Sequence, residues 1–312
     1  MTLFRPSGSR VFRSALSVAG LGVLCGLLTA LIWSFWSIAT RHAVTSSLGP
    51  GDVTFLRFGV SGVLLAPILW TNRAKLRSVR GPYLIAMLVG AGAPFMLTTS
   101  TGMQFAPASH VAMLMIGTMP VFVALLASTL FKQRLTNAQV LGMAIVFTGV
   151  MFIGGHSLLF NRQAGEWRGD VLFVLAGLMF ASFTVAQRNS GLTPWVATAF
   201  VNVTSAALFT PVYLLWMSPK LGHASLNELL VQIGAQGLAV SVLALWFFSE
   251  AVARLGATRA AVFGALCPAI TATMGIVILN EVPSAATLMG ISAVMLGVLT
   301  VVFNPPRIDT QA

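Results

Sequence analysis

The sequence predicts an all-α polytopic membrane protein, with ten transmembrane helices arranged as two inverted five-helix repeats. Three observations predict it. Hydrophobic residues make up 57% of the 312-residue chain and charged residues 8%, whereas soluble domains run near roughly 45–50% and about 25%. Apolar stretches follow one another with short connections, each long enough to cross a hydrocarbon core of roughly 30 Å. Finally, Pro120 and Pro268 are each the twelfth residue of a 23-residue apolar stretch, 109–131 and 257–279, and the offset of 148 residues also carries Gln133 onto Glu281, Gly142 onto Gly290 and Gly149 onto Gly297.

In chain order the spans fall at 17–40, 53–71, 83–105, 109–131, 137–155, 169–187, 194–216, 231–253, 257–279 and 284–303. Basic residues precede the first run, which continues past Ala39 without a small-residue cleavage site, so it reads as a span and not as a removed signal. The chain divides into a terminal segment 1–16, a repeat 17–155, a connection 156–168, a second repeat 169–303 and a tail 304–312. Spans three and eight keep the 148-residue register, whereas spans one and six align near 147, which sets Trp33 on Phe180, Trp36 on Phe183, Ser37 on Thr184 and Arg41 on Arg188. Five spans per unit is an odd number, so the second copy enters the bilayer upside down.

Charge fixes the expected orientation. With the N-terminus taken as cytoplasmic, thirteen Lys and Arg residues fall on that side, four on the other, and Arg57 within a span. This is the positive-inside distribution, and it predicts a multi-pass protein of the inner membrane with both termini cytoplasmic. The net charge of +11 is thereby accounted for by orientation, without a nucleic-acid partner. Cys25 and Cys267 lie within spans and behave as small apolar residues. Trp70, Trp167, Trp195 and Trp216 stand near span ends, as interface anchors do.

The stretch Ala106-Pro107-Ala108 through Pro120, then Lys132-Gln133-Arg134-Leu135 and Gly142 and Gly149, resembles the EamA-type repeat of the drug/metabolite transporter superfamily. So does 254–261, Arg-Leu-Gly-Ala-Thr-Arg-Ala-Ala, followed by Pro268 and Asn280-Glu281. The resemblance covers nearly the whole chain. It implies a ten-helix carrier of small organic metabolites or xenobiotics, acting in export, with a central cavity between the halves. The chain departs from that pattern where Gln133 replaces the acidic residue that ends the fourth helix of such repeats.

Candidate transport residues follow from position and type. Pro120 and Pro268 cannot donate to the carbonyls of Ile116 and Gly264, and Pro94, behind Gly90 and Gly92, adds a third weak point, so these three are candidate hinges. Trp33 and Trp36 in span one and Phe180 and Phe183 in span six are candidate opposite gates, because aromatic groups present large area on stiff stems. Trp246, Met115 and Met119 are apolar candidates for contacting a solute, and Thr98, Thr99 and Ser249 polar ones. Glu250 and His110 are the candidate coupling groups, although Glu250 stands four residues before Arg254, the spacing of a local ion pair. Arg57 is expected to snorkel outward or to pair with Asp52.

Other functions fit less well. No Gly-Lys-Ser/Thr sequence occurs, which excludes a phosphate-cradling loop and leaves an ion gradient or the solute's own gradient as the energy source. Gly59-Val60-Ser61-Gly62 resembles the nucleophile site of a rhomboid-type serine protease, but Ser61 would need a histidine base within hydrogen-bond reach, and only His110 of the four histidines approaches a span. A channel would need a continuous polar lining, which these spans lack. The expected partners are therefore a small-molecule substrate and the lipid bilayer, with no cofactor, no metal and no enzymatic activity.

Overall fold

The computed structural model describes residues 8–132, 135–159, 165–255 and 257–303. Ten helical spans are present among them and no strand. Helix α1 is Gly8–Thr45, α2 Pro50–Leu76, α5 Asn137–Leu159, α6 Glu166–Ser190, α7 Pro194–Trp216 and α10 Ala285–Phe303. Helix α3 consists of Gly81–Ala91 and Ala93–Phe105, and α4 of Ala108–His110, Val111–Ile116 and Met119–Phe131. Helix α8 joins Leu226–Gln232, Ile233–Ala244 and Leu245–Leu255, and α9 joins Ala257–Met274 and Gly275–Leu279. Eight of the spans meet the length and apolarity of a membrane crossing outright, and the shorter apolar stretches Asn137–Phe152 and Phe263–Leu279 lie in α5 and α9.

Several helices run past the expected spans, α2 by a turn or so at each end and α8 by five residues at its start. Their ends are polar or prolyl: Asp52 accepts from the Gly49 N–H at 2.7 Å and Ser225 accepts from Glu228 N–H at 3.2 Å, so the helix continues into the interface where such caps are wet. The connection expected over 156–168 is shorter, since α5 reaches Leu159 and α6 begins at Glu166. Gln133, with 1–7 and 304–312, lies outside the described residues.

Proline starts helices here more often than it kinks them. Pro50, Pro82, Pro94, Pro120 and Pro194 all occupy the first turn of a helical segment, where a missing N–H is harmless. Pro120 was expected inside a continuous span, but wide turns over Val111–Ile116 end at Gly117, whose N–H donates to Ala112 O at 3.2 Å, and a fresh helix begins at Met119. Pro94 likewise follows a break at Gly92, where the Ala93 N–H donates to Ser205 Oγ at 3.2 Å. Of the three candidate hinges only Pro268 sits within a continuous segment, as Pro67 and Pro211 do in α2 and α7.

The two halves are related in detail. Lys132 and Asn280, 148 residues apart, both adopt φ 54°, and their N–H groups reach back five residues, to Ala127 O and Gly275 O. Helices α5 and α10 pack along their length through four glycines. A Cβ on Gly142 would come within 2.8 Å of Gly297 O, one on Gly297 within 2.6 Å of Gly142 O, and one on Gly149 within 3.1 Å of Gly290 O. Position 142 faces 297 and 149 faces 290, so the residue numbers rise on one helix as they fall on the other. The seam is antiparallel, and it pairs each glycine with the repeat partner of the other. The remaining contacts between halves obey the same exchange: α2 packs on α7, α4 on α9, and the α1·α8 contact is matched by α6·α3. The repeats are thus inverted and related by a pseudo-two-fold axis.

Large apolar side chains cover the outer surface, with Val63, Leu215, Val277 and Leu296 all more than half exposed, as a lipid-facing belt requires. Trp70 and Trp216, at span ends, are 70% and 76% exposed.

The glycine seam is testable. Gly142→Val should lower stability by about 1–3 kcal/mol through overpacking, read as a reduced thermal midpoint in detergent, whereas Gly20→Ala, with nothing within 4 Å of its added Cβ, should not. An unchanged midpoint for Gly142→Val contradicts the close approach.

Candidate functional site

A cavity opens between the halves near mid-depth, enclosing about 820 Å³ including its mouth. Trp33 and Trp36 from α1 and Phe180 and Phe183 from α6 line it together, so the two aromatic pairs aligned at offset 147 meet in one chamber. Phe180 stands with its ring centroid 5.4 Å from both Phe95 and Phe183, tilted in each case, the arrangement that ring quadrupoles favour. Met115 and Met119 from α4, with Ile116, complete that side. Helices α7 and α8 contribute Thr198, Asn202 and Ser241, and α2 contributes Arg57.

Three of the expected contact residues lie elsewhere. Thr98 and Thr99 spend their hydroxyls on the carbonyls of Pro94 and Phe95, at 2.9 Å each, as hydroxyls four residues along a helix commonly do. Trp246 is 40% exposed and packs on Phe247, outside the lining. The side chain of Ser249 lies outside the described residues.

Polar side chains link the two halves at the end of the bundle at which α1 finishes. The Trp36 indole N–H donates to Gln236 Oε1 at 2.8 Å, Gln236 Nε2 donates to Thr40 Oγ1 at 2.8 Å and to Gln232 Oε1 at 3.1 Å, and Gln232 Nε2 donates to Ala39 O at 2.9 Å. One helical turn beyond, Arg41 Nε donates to Glu281 Oε1 at 2.8 Å, and its guanidinium also reaches Met103 O. Glu281 Oε2 accepts from the Ala108 N–H at 3.1 Å. Ser46 and Ser47 donate to the Glu228 carboxylate at 3.0 and 2.5 Å. Helices α1, α3 and α4 are thereby tied to α8 and α9, across the boundary between halves. Polar groups buried away from water are costly to leave unpaired, so the buried part of this lattice ties the two halves together at that end. The sequence singled out neither glutamine, although two of them four residues apart in an apolar span were the available signal.

The ionisable candidates resolve as pairs. Glu250 Oε2 accepts from Arg254 Nε at 3.0 Å and from Nη2 at 2.6 Å, the local pair that the spacing implies. His110 Nδ1 lies 2.7 Å from Asp170 Oδ1, both side chains buried, while Asp170 Oδ2 has no partner. That α4·α6 pair was not foreseen. Asp52 does not pair with Arg57: its carboxylate accepts from Tyr213 Oη at 2.5 Å, from the Lys220 N–H at 2.9 Å and from the Gly49 N–H. Ser61 donates to Arg57 O at 2.7 Å and to Asn202 Oδ1 at 2.6 Å, so its hydroxyl proton is engaged by these acceptors and no histidine among the described residues activates it as a nucleophile. Gly117, Pro120, Gly264 and Pro268 surround a smaller void between α4, α9 and α10, which brings two of the three candidate hinges to one loosely packed place.

Comparisons with known proteins agree with this architecture. A model described as the EamA-like transporter family matches residues 20–155 and again 167–303. The uncharacterized transporter YyaM of Bacillus subtilis (strain 168) is 24% identical over 89% of this chain and 94% of its own length. A probable terminal-alkyne amino-acid exporter of Streptantibioticus cattleyicolor is 26% identical over 88% and 91%. The uncharacterized inner membrane transporter YhbE of Escherichia coli (strain K12) is 28% identical over 54% of each chain. One solved structure aligns over 93% of this chain and 99% of its own with a TM-score of 0.62 at 18% identity, a likeness of fold.

If the Arg41–Glu281 lattice is the seal, Glu281→Gln should loosen it. A cysteine placed at Ala39, in a background lacking Cys25 and Cys267, should then react several-fold faster with a membrane-impermeant maleimide; equal rates with and without Glu281→Gln contradict the seal.

Proposed function

The chain belongs to the EamA-like transporter family, and from that premise we propose that it is a secondary carrier that exports small organic metabolites or xenobiotics across the inner membrane by alternating access. The observation that supports this reading most is the cavity lined from both inverted halves by repeat-related aromatic pairs. Inverted repeats supply two near-equivalent closures, one at each end of a fixed site. The lattice of Trp36, Gln236, Arg41 and Glu281 is one of them, and its release, with the pseudo-symmetric closure at the other end, would carry the site from one face to the other.

Both termini are assigned to the cytoplasm from the basic residues, which makes the sealed end the outer one. Trp33, Trp36, Met115, Met119, Phe180 and Phe183 form the solute walls. The void at Pro120 and Pro268, with the break at Pro94, supplies the hinges, because helices interrupted there can bend without sacrificing hydrogen bonds. Proton coupling, where it operates, runs through His110 with Asp170 or through Glu250. A relative named as a probable amino-acid exporter supports small amino-acid-like solutes as the first cargo to try.

Transport should therefore depend on the aromatic walls. In proteoliposomes preloaded with radiolabelled phenylalanine, leucine or benzoate, Trp33→Ala or Phe180→Ala should slow protein-dependent release by roughly ten- to a hundredfold, the equivalent of removing one buried aromatic contact of about 1.5–3 kcal/mol. Insertion, read by size-exclusion profile, should not change. Release at the wild-type rate from both variants would remove the cavity from the pathway. For coupling, Glu250→Gln and His110→Gln are compared under an imposed proton gradient; the coupling variant should lose gradient-driven release and keep downhill release, and full retention by both discards proton coupling at these residues.

A further inference from the structure

We propose that the cavity is built for organic anions, monocarboxylates with an apolar or aromatic body, and that Arg57 is the group that holds the carboxylate. This rests on the reading of the cavity as the solute site. Arg57 reaches the cavity wall from α2. Its guanidinium is a cation, yet no carboxylate reaches it among the described residues: the ion pairs there are Arg41 with Glu281, His110 with Asp170 and Arg254 with Glu250. The Arg57 Nε atom is buried with no hydrogen-bond partner, and Nη1 finds only the Met96 sulfur at 3.5 Å, a weak acceptor. What holds the group in place is aromatic: its central carbon lies 5.6 Å from the ring centroids of both Trp36 and Phe58.

An unmet cation inside a membrane protein is expensive, and such residues commonly mark a ligand path. Its natural acceptor, Asp52, is taken up by three other donors and is withheld from it. A planar guanidinium with free N–H groups matches a carboxylate bidentately, and dehydrated surroundings strengthen that bond.

A second feature carries the same sign. The half-helix Ala93–Phe105 begins at the cavity, with Ala91 and Phe95 on either side of the break at Gly92 among the lining residues. A helix start presents partial positive charge. Met96, the contact of Arg57, is on its first turn. No Asp or Glu is among the described residues that line the cavity, so a bare ammonium group would find no counter-charge from them, while Trp33, Phe95 and Phe180 accept an apolar body.

The test uses the purified full chain and paired probes: benzoate, phenylacetate, 3-phenylpropionate and indole-3-acetate, each against its primary amide, with phenethylamine as the cation. Binding is read from the ligand-dependent rise in thermal midpoint. Acids should stabilise the wild type and their amides and the amine should not. Arg57→Gln should weaken acid binding by about ten- to a hundredfold, the worth of hydrogen bonds to a charged group, and Arg57→Lys should retain an intermediate affinity.

The empty Arg57→Gln protein should be as stable as the wild type or more so, because the liability it removes is an unpaired charge. A purely structural arginine predicts a lower midpoint. The proposal is overturned if no acid stabilises the wild type beyond its amide, or if Arg57→Gln keeps the preference for acids. Acid binding that is intact in a protein unable to transport any of these probes in proteoliposomes would instead count against the carrier reading and leave the anion site standing.

Discussion

Everything in this structure depends on how closely α5 and α10 approach. With four glycines on the seam, backbone meets backbone, Gly142 against Gly297 and Gly149 against Gly290, in an antiparallel register. In lipid there is no hydrophobic force between apolar helices, so small residues that admit close packing decide which helices associate. Once that seam is set, the exchange of halves is imposed on the other contacts, and α1·α8 must be mirrored by α6·α3. The aromatic pairs Trp33–Trp36 and Phe180–Phe183 then arrive on one chamber because their helices are exchanged by the same operation.

The second constraint is the accounting of backbone polar groups where water is scarce. Broken helices are tolerated at membrane depth only beside a cavity or protein partner. The break at Gly92 satisfies this twice, lying at the chamber wall and giving its freed Ala93 N–H to Ser205. The wide turns before Pro120 end in a bond from Gly117 to Ala112, and the gap they leave is shared with Pro268. Irregularity is therefore concentrated at the chamber and behind it, where motion between two closures is needed, while α5, α6, α7 and α10 stay regular.

The crossings were legible from composition and run length because bilayer thickness leaves few alternatives, and the repeat was legible because Pro120 and Pro268 keep their register through three consecutive spans. The alignment of Trp33 with Phe180 and of Trp36 with Phe183 suggested gates at opposite ends, whereas both pairs line one chamber, as the exchange of their helices requires. What failed were side-chain partners. Asp52 stood a little over one turn from Arg57, and pairing with it was, beside snorkelling outward, one of the two expectations for Arg57, but a cap bond to Gly49 and donors from Tyr213 and Lys220, more than 150 residues away, claim Asp52 instead. The same blindness to distant partners hid the bond between Trp36 and Gln236 and the pairing of His110 with Asp170. Thr98 and Trp246 were misplaced because each helix presents several faces, and only packing chooses the one that meets the chamber.

The central claim is that two antiparallel halves expose one chamber alternately. Pulsed electron–electron resonance on two spin pairs tests it most directly: Ser47 with Asn227 at the sealed end, and Arg73 with Asn189 at the other, each measured in lipid nanodiscs with and without phenylacetate. The account predicts two populated distances for each pair, with the longer separation at one end favoured under the conditions that favour the shorter separation at the other. A single unchanging distance at both ends, or ends that widen together, would contradict it.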